Sequence, residues 1–336
     1  MNLRDRSALK KAADESISRA SYPPKNLILI HAGAALGLTM LVVLVNFLLD
    51  RFMNTTSGLG SMGLRAILST AKSVLSIVQS VVLPFWEIGY VFTMLQVARQ
   101  EQAAPSSLLT GFRRFWPVLR WLVLQGLIFF AIAMVSFYLS SQAFLMTPLS
   151  NKTAEILQPL AGQSPDLNTV PMPDPATYAA LMASLRPMVI LFLILYLLLA
   201  VPLMYRYRLS GYVLMDLPEK GARAALRSSR AMMRGNCLDM LKLDLSFWWY
   251  YLAQALLAVI AYGDLLLNTL GVTLPWSPDV SFLIFNLLFA CGQLALYYFT
   301  RNKVELTYIH AYDTLHTPIY HRPDPVPPYQ QPWQDL

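Results

Sequence analysis

Six apolar segments, each reaching or approaching the length of a bilayer crossing, constrain this 336-residue chain more than any other feature. About 20 apolar residues in a helix span the ~30 Å hydrocarbon core. Because no water is available there, a spanning backbone must satisfy its own hydrogen bonds, which favours helices. The segments cover approximately residues 27–49, 74–95, 118–144, 188–204, 245–262 and 282–299. We therefore predict an all-α fold, a polytopic membrane protein with six transmembrane helices and interfacial amphipathic helices on the cytoplasmic side.

The composition supports this class. Hydrophobic residues make up 56% of the chain and charged residues only 13%, against about 25% charged residues in soluble domains. A net charge of +7 is compatible with nucleic-acid binding, but the basic residues flank the apolar segments. We therefore expect no nucleic-acid partner and assign the positive charge to orientation and to anionic lipid headgroups.

The distribution of Lys and Arg predicts the orientation. Placing the N-terminus inside puts 21 of the 26 basic side chains in or beside cytoplasmic segments, which retain positive charge during insertion. We predict a multi-pass protein of the cell (plasma) membrane with both termini in the cytoplasm.

Residues 1–316 are predicted to form a single membrane domain. Its outside loop, residues 147–186, contains six prolines, so we expect no regular helix through the middle of the loop and a short interfacial helix at 176–186. Residues 317–336 are also rich in proline and are expected to form a disordered cytoplasmic tail. Within the first span, Gly33 and Gly37 form a GxxxG motif that favours close helix packing.

Four arginines between the fourth and fifth spans lie at spacings of four, three and four residues: Arg223, Arg227, Arg230 and Arg234. On a helix they occupy a stripe roughly 60° wide. The other side carries Ala225, Leu226, Met232 and Met233, which predicts an interfacial helix with its arginines toward phosphates. Two interpretations remain open: the stripe only fixes topology and docks the helix, or it recognises headgroups. Gly235 and Asn236 are expected to cap this helix at its C-terminus.

Glu87 interrupts the second span, where a carboxylate costs about 2.5–3.5 kcal/mol on insertion scales. Pro84, one turn earlier, is expected to kink the helix. Burial favours the neutral acid. Glu87 is then either a neutral acid that bridges helices or a proton- or cation-linked site. The other intramembrane polar residues, expected as its hydrogen-bond partners, are Gln79, Gln125, Asn286 and Gln293.

No recognised catalytic or nucleotide-binding motif is present, and the tail cluster of His310, Asp313, His316 and His321 lacks the spacing of a metal site. We predict no enzyme, no catalytic residue, no metal and no other cofactor. The expected function is a non-enzymatic membrane protein whose basic cytoplasmic surface engages lipid headgroups or an unidentified protein partner. The alternative is a small carrier that uses Glu87.

Several segments resemble one known family. Residues 89–115 are similar to its stretch before the third span, and residues 202–218, 225–236 and 243–247 to its central signature, which includes AL..S..LM.GN and L.LSF. Residues 307–315 resemble its closing segment. The family is the bacterial integral membrane family catalogued as domain of unknown function 975. The resemblance implies a bacterial inner-membrane protein and implies no mechanism.

Overall fold

The computed structural model describes residues 3–55, 61–161, 175–263, 266–267 and 278–316, and these residues contain helices and no strand. The predicted all-α class is confirmed. The Pro-rich segment 317–336, with His321, lies outside the described residues.

Thirteen α-helices of the described residues are numbered in chain order. They are α1 (Arg6–Arg19), α2 (Pro24–Thr55), α3 (Ser61–Ala98), α4 (Thr110–Arg113), α5 (Phe115–Leu145), α6 (Pro148–Ala161), α7 (Pro175–Tyr207), α8 (Ser210–Asp216), α9 (Gly221–Met233), α10 (Cys237–Leu245), α11 (Trp248–Ala261), α12 (Pro278–Leu296) and α13 (Asn302–His316). Short 3₁₀ helices cover Pro105–Leu109 and Pro218–Lys220, and a π-helical segment, Tyr297–Arg301, joins α12 to α13.

Five stretches of the described chain are long and apolar enough to cross a membrane, and a sixth is found if one bent helix pair is counted as a span. The five are Pro24–Met53, Ala66–Ala98, Phe115–Leu145, Ala179–Asp216 and Val280–His316. The bent pair is α10 and α11. Five or six apolar helices agree with the predicted multi-pass architecture.

The predicted fifth and sixth spans differ from the structure. The fifth, 245–262, is broken at Ser246–Phe247, where α10 and α11 meet at 69°, so Leu245 ends one helix and the next begins at Trp248. The sixth, 282–299, does not end there: the helical path continues to His316. Residues beyond 299 remain helical because Leu306, Ile309 and most of their neighbours on α13 are buried in the protein.

Residues Met1–Leu119 and Leu209–Leu336 form one compact unit, and residues Arg120–Arg208 form another. In the first unit, α3 runs through Pro84 to Ala98 as one helix. It meets the chain around Pro105–Arg113 at two glycines that no other residue can replace without movement. A Cβ on Gly89 would overlap the carbonyl oxygen of Leu108, and one on Gly111 would overlap that of Phe85.

The N-terminal helix α1 packs along α13. Leu9 and Ala13 are fully buried, Lys303 Nζ lies 2.7 Å from Asp14 Oδ2, and Ser16 Oγ lies 2.9 Å from His310 Nε2. The chain before the first span is therefore part of the folded unit.

In the second unit, much of the segment predicted as an outside loop, 147–186, is helical. Pro148–Ala161 forms α6, and residues 176–186 are the start of the long helix α7 rather than a separate interfacial helix. Thr153 donates a hydrogen bond to Ser184 across the two helices at 2.9 Å. The middle of the loop, 162–174, lies outside the described residues.

The GxxxG prediction is wrong for the described chain. A methyl group added at Gly33 or Gly37 would meet no described atom within 4 Å, so these glycines are not a close helix contact.

Candidate functional site

A charged cluster lies between the helices of the first unit. Glu87 on α3 accepts a hydrogen bond from the Arg301 guanidinium, which the π-helical segment presents from the sixth span. Arg301 also lies 3.6 Å from Glu305, one turn further along. The guanidinium of Arg301 therefore forms ion pairs with the carboxylates of both Glu87 and Glu305. The π-helical turn is relevant because such turns occur frequently at functional sites.

His31 on α2 is the third partner of Glu87. Its Nε2 lies 3.2 Å from Glu87 Oε2, and its side chain is only 3% exposed. Nδ1 is buried and has no hydrogen-bond partner among the described residues. The ring stacks against Tyr90 at 4.5 Å and against Trp86 at 5.8 Å between centroids.

Aromatic and amide side chains hold the cluster in place. Trp86 donates to the carbonyl oxygen of His31 at 2.9 Å, and Tyr212 on α8 donates to Glu305 at 2.6 Å. Tyr90 donates to Asn302 at 2.9 Å, and Asn302 in turn donates to the carbonyl oxygen of Pro24. These bonds join α2, α3, α8 and α13, so the cluster is built by tertiary packing.

The cluster is partly open. The side chains of Glu87 and Arg301 are 43% and 20% exposed, whereas that of Glu305 is 6% exposed. Glu87 faces a guanidinium, whereas the sequence predicted hydrogen bonds to neutral amide side chains.

The predicted partners of Glu87 bond elsewhere. Gln79 donates to Thr39 at 3.1 Å, Gln293 donates to Gln254 at 3.0 Å, and Asn286 bonds its own helix at Phe282. Gln125 belongs to the other unit, and its buried side-chain oxygen has no described partner.

Sequence reasoning missed Arg301 and His31. The sixth span was predicted to end at Phe299, two residues before Arg301. Both residues could have been found by comparing the depths of polar residues in the predicted spans. His31 and Glu87 lie toward the predicted cytoplasmic ends of their spans, and Arg301 lies just beyond the cytoplasmic end of the sixth.

The second candidate feature is the arginine surface, defined as the exposed side chains of Arg223, Arg227, Arg230 and Arg234 on and just after α9. All four are exposed, and none pairs with a carboxylate in the described part of the chain. The apolar side of α9 is buried, Met232 and Met233 almost completely. It packs on α8, which corrects the expectation that this side lies in lipid.

The end of α9 has the predicted cap. Gly235 adopts a positive φ of 85°, and the backbone N–H of Asn236 donates to the carbonyl oxygen of Met233 at 3.1 Å. Glycine enters this region without a Cβ penalty. The cap separates α9 from α10, so the arginine helix has a defined end.

A second ion cluster joins α3, α8 and α13. Arg99, directly after α3, bonds Asp216 at 2.5 Å and Asp313 at 3.4 Å. Burial alone would lower the pKa of the Arg99 guanidinium, but the hydrogen bond and charge of Asp216 outweigh it and raise that pKa above its usual value. Tyr312 donates to the other oxygen of Asp216 at 2.8 Å. We interpret this cluster as structural, since its members satisfy one another.

No group of three or more metal-binding side chains occurs among the described residues.

The all-α fold, its membrane-length helices and the charged cluster between them define an integral multi-pass membrane protein. Within that class the chain belongs to the family described as "Protein of unknown function (DUF975)", whose model matches residues 23–314. The match includes His31, Glu87, Arg301 and the arginine surface. No curated protein and no solved structure matches the chain.

Proposed function

We propose that this chain is a non-enzymatic protein of the bacterial inner membrane, with both termini in the cytoplasm, and that its arginine surface binds anionic lipid headgroups. The observation that carries the proposal is the combination of four exposed arginines, no described carboxylate partner and a helix whose opposite side is buried in the protein. Cations used only for folding would be expected to pair within the chain, as Arg99 does.

The geometry suits an extended anionic surface. Arg223 and Arg234 are eleven residues apart, which corresponds to roughly 16 Å along a helix. Each basic residue near an anionic surface contributes on the order of 1 kcal/mol. Since α9 is already folded against α8, little ordering cost remains to be met on binding.

The test uses the full chain in detergent and a headgroup-labelled phosphatidylglycerol. The variant R223Q/R227Q/R230Q/R234Q should bind this lipid roughly 100-fold more weakly, because four contributions of that size are lost and part of each is screened. Binding by the unaltered chain should fall steeply with added salt and should be much weaker for phosphatidylcholine.

The matched control is K11Q/R19Q/R113Q/R120Q, which removes four other exposed charges. It should retain most of the binding. Equal losses in the two variants would show that only net charge matters, and indifference to salt and headgroup would exclude the lipid proposal. A protein partner would then become the remaining explanation of the arginine surface.

A second candidate is a small carrier linked to a proton or cation at Glu87. The observation in its favour is the half-exposed carboxylate inside an apolar span, with two carboxylates opposed to one guanidinium. Ionisable groups at such depth are functional candidates by default. The chain reconstituted in vesicles with a trapped pH dye should pass protons under an imposed potential, and E87Q should abolish that flux. Absence of flux in the unaltered chain would exclude proton linkage.

A further inference from the structure

A cavity of about 410 Å³ lies where the N-terminal segment meets α10. It is lined by Leu3, Arg4, Arg6, Asp239 and Lys242. The three basic side chains face a single carboxylate. Asp239 is shared between Arg4 Nε at 3.5 Å and Lys242 Nζ at 3.7 Å, so the lining keeps a net charge of about +2.

Nearby positive charges act on the side chain of Lys10. Lys10 lies over the ring of Phe247 and donates to the carbonyl oxygen of Ser246 at 2.9 Å. Burial lowers the pKa of the Lys10 ammonium, and the charges of Lys303 and Arg6 lower it further. An anion in the cavity would relieve part of this repulsion.

The helix that forms one wall, α10, carries an exposed apolar stripe. Leu238, Leu241 and Leu245 are exposed along one stripe of α10, and Trp248 follows at the start of α11 with 62% of its surface exposed. An exposed leucine stripe next to a tryptophan is typical of a helix lying in the membrane interface. Met240 and Leu243, on the opposite side, are fully buried.

Lys242 flanks this leucine stripe. Its side chain is 60% exposed, and in a membrane interface a lysine beside an apolar stripe would extend its ammonium toward the headgroups. A cavity beside such a stripe would open near the depth of the lipid phosphates, and its positive charge suits a phosphate group. Arg6 is oriented toward the same wall, since its NH1 donates to the carbonyl oxygen of Lys242 at 3.4 Å.

We propose that this cavity is a binding site for the phosphate of an anionic phospholipid, with Arg4, Arg6 and Lys242 as its cationic contacts. It is a discrete site that holds one headgroup, separate from the extended arginine surface, and it does not depend on the function proposed for that surface. Asp239 limits its affinity, because it competes with the phosphate for Arg4 and Lys242.

The experiment counts lipids bound to the full chain by native mass spectrometry while phosphatidic acid is added. One molecule should bind more tightly than the rest. R6Q/K242Q should weaken that first binding event about 30-fold, since two cations are lost. D239N should strengthen it about fivefold, because the competing carboxylate is removed.

Three comparisons keep the proposal falsifiable. The variant K11Q/R19Q/R113Q/R120Q, which removes four exposed charges outside the cavity, should leave the first event unchanged, which separates this site from a response to net charge. Phosphatidylcholine should not bind with similar affinity. Inorganic phosphate should not displace the lipid at equal concentration; if it does, the site takes free phosphate and the lipid assignment is wrong.

The gain expected for D239N is the strictest part of the test, because a misfolded variant does not bind more tightly. If D239N and R6Q/K242Q both bind phosphatidic acid like the unaltered chain, the cavity is not a headgroup site.

Discussion

Glu87 on α3 and Arg301 in the π-helical segment, separated by 214 positions in the sequence, form an ion pair between two membrane-spanning stretches. Arg301 also approaches Glu305, and His31 reaches the free side of Glu87. This pairing connects the second membrane-length helix to the last one.

Removing Arg301 alone should destabilise the protein more than removing Arg301 and Glu87 together. The loss of one side of a fully buried pair costs about 3–5 kcal/mol; because Glu87 is 43% exposed, we expect about 1–3 kcal/mol for E87Q. R301Q should cost more, as it strands two carboxylates. The double variant E87Q/R301Q should be more stable than R301Q alone in equilibrium unfolding in detergent. Strict additivity would contradict the pairing.

Gly89 should tolerate no side chain. G89A places a Cβ against the carbonyl oxygen of Leu108, so the free energy of unfolding should fall by about 1–3 kcal/mol, as for other overpacked sites. The control is G33A, also within a spanning helix but with no described atom within 4 Å of the added methyl group. It should be neutral or slightly stabilising. Similar melting temperatures for the two variants would argue against the close approach of these backbones.

Arg99 should not be replaceable by lysine. Its guanidinium bonds Asp216 through one nitrogen and Asp313 through another, a geometry that a single ammonium cannot reproduce. R99K should therefore lower the free energy of unfolding by a large part of the loss caused by R99M. Thermal unfolding of the purified variants measures both, and R99K equal to the unaltered chain would show that charge alone suffices.

The break between α10 and α11 should place α10 in the interface. The substitution L241D, at an exposed position of α10, should weaken the insertion of α10 into the membrane interface. The substitution A231D, at an exposed position of α9, should not. Hydrogen–deuterium exchange in nanodiscs should then rise over Cys237–Leu245 in L241D and remain unchanged there in A231D. Exchange that is fast over α10 in the unaltered chain would contradict the interfacial position.

The spans were predictable because bilayer thickness sets the length of any crossing helix. The arginine surface was predictable because a helix of known period places residues at spacings of three and four on one side. Both inferences use local sequence alone, and the structure confirms the helices and the exposure of the four arginines.

Other features depend on tertiary contacts. Arg301 lies beyond the predicted end of the sixth span because a charged residue usually ends an apolar segment. In the structure, carboxylates on α3 and α13 offset the cost of its charge. The break at Ser246–Phe247 leaves hydropathy almost unchanged, so an apolar run could not reveal it. The apolar side of α9 fits either lipid or protein, and only the position of α8 decides between them.

The central claim, that the arginine surface meets anionic headgroups, is tested most directly by depth. In a C237S/C291S background, an environment-sensitive label at A231C lies between the arginines of the stripe. Its quenching by headgroup spin-labelled lipid in nanodiscs should rise with the fraction of phosphatidylglycerol, and the rise should vanish when the four arginines are changed to glutamine. Quenching that is absent, or that is the same in neutral lipid and in the glutamine variant, would contradict the account.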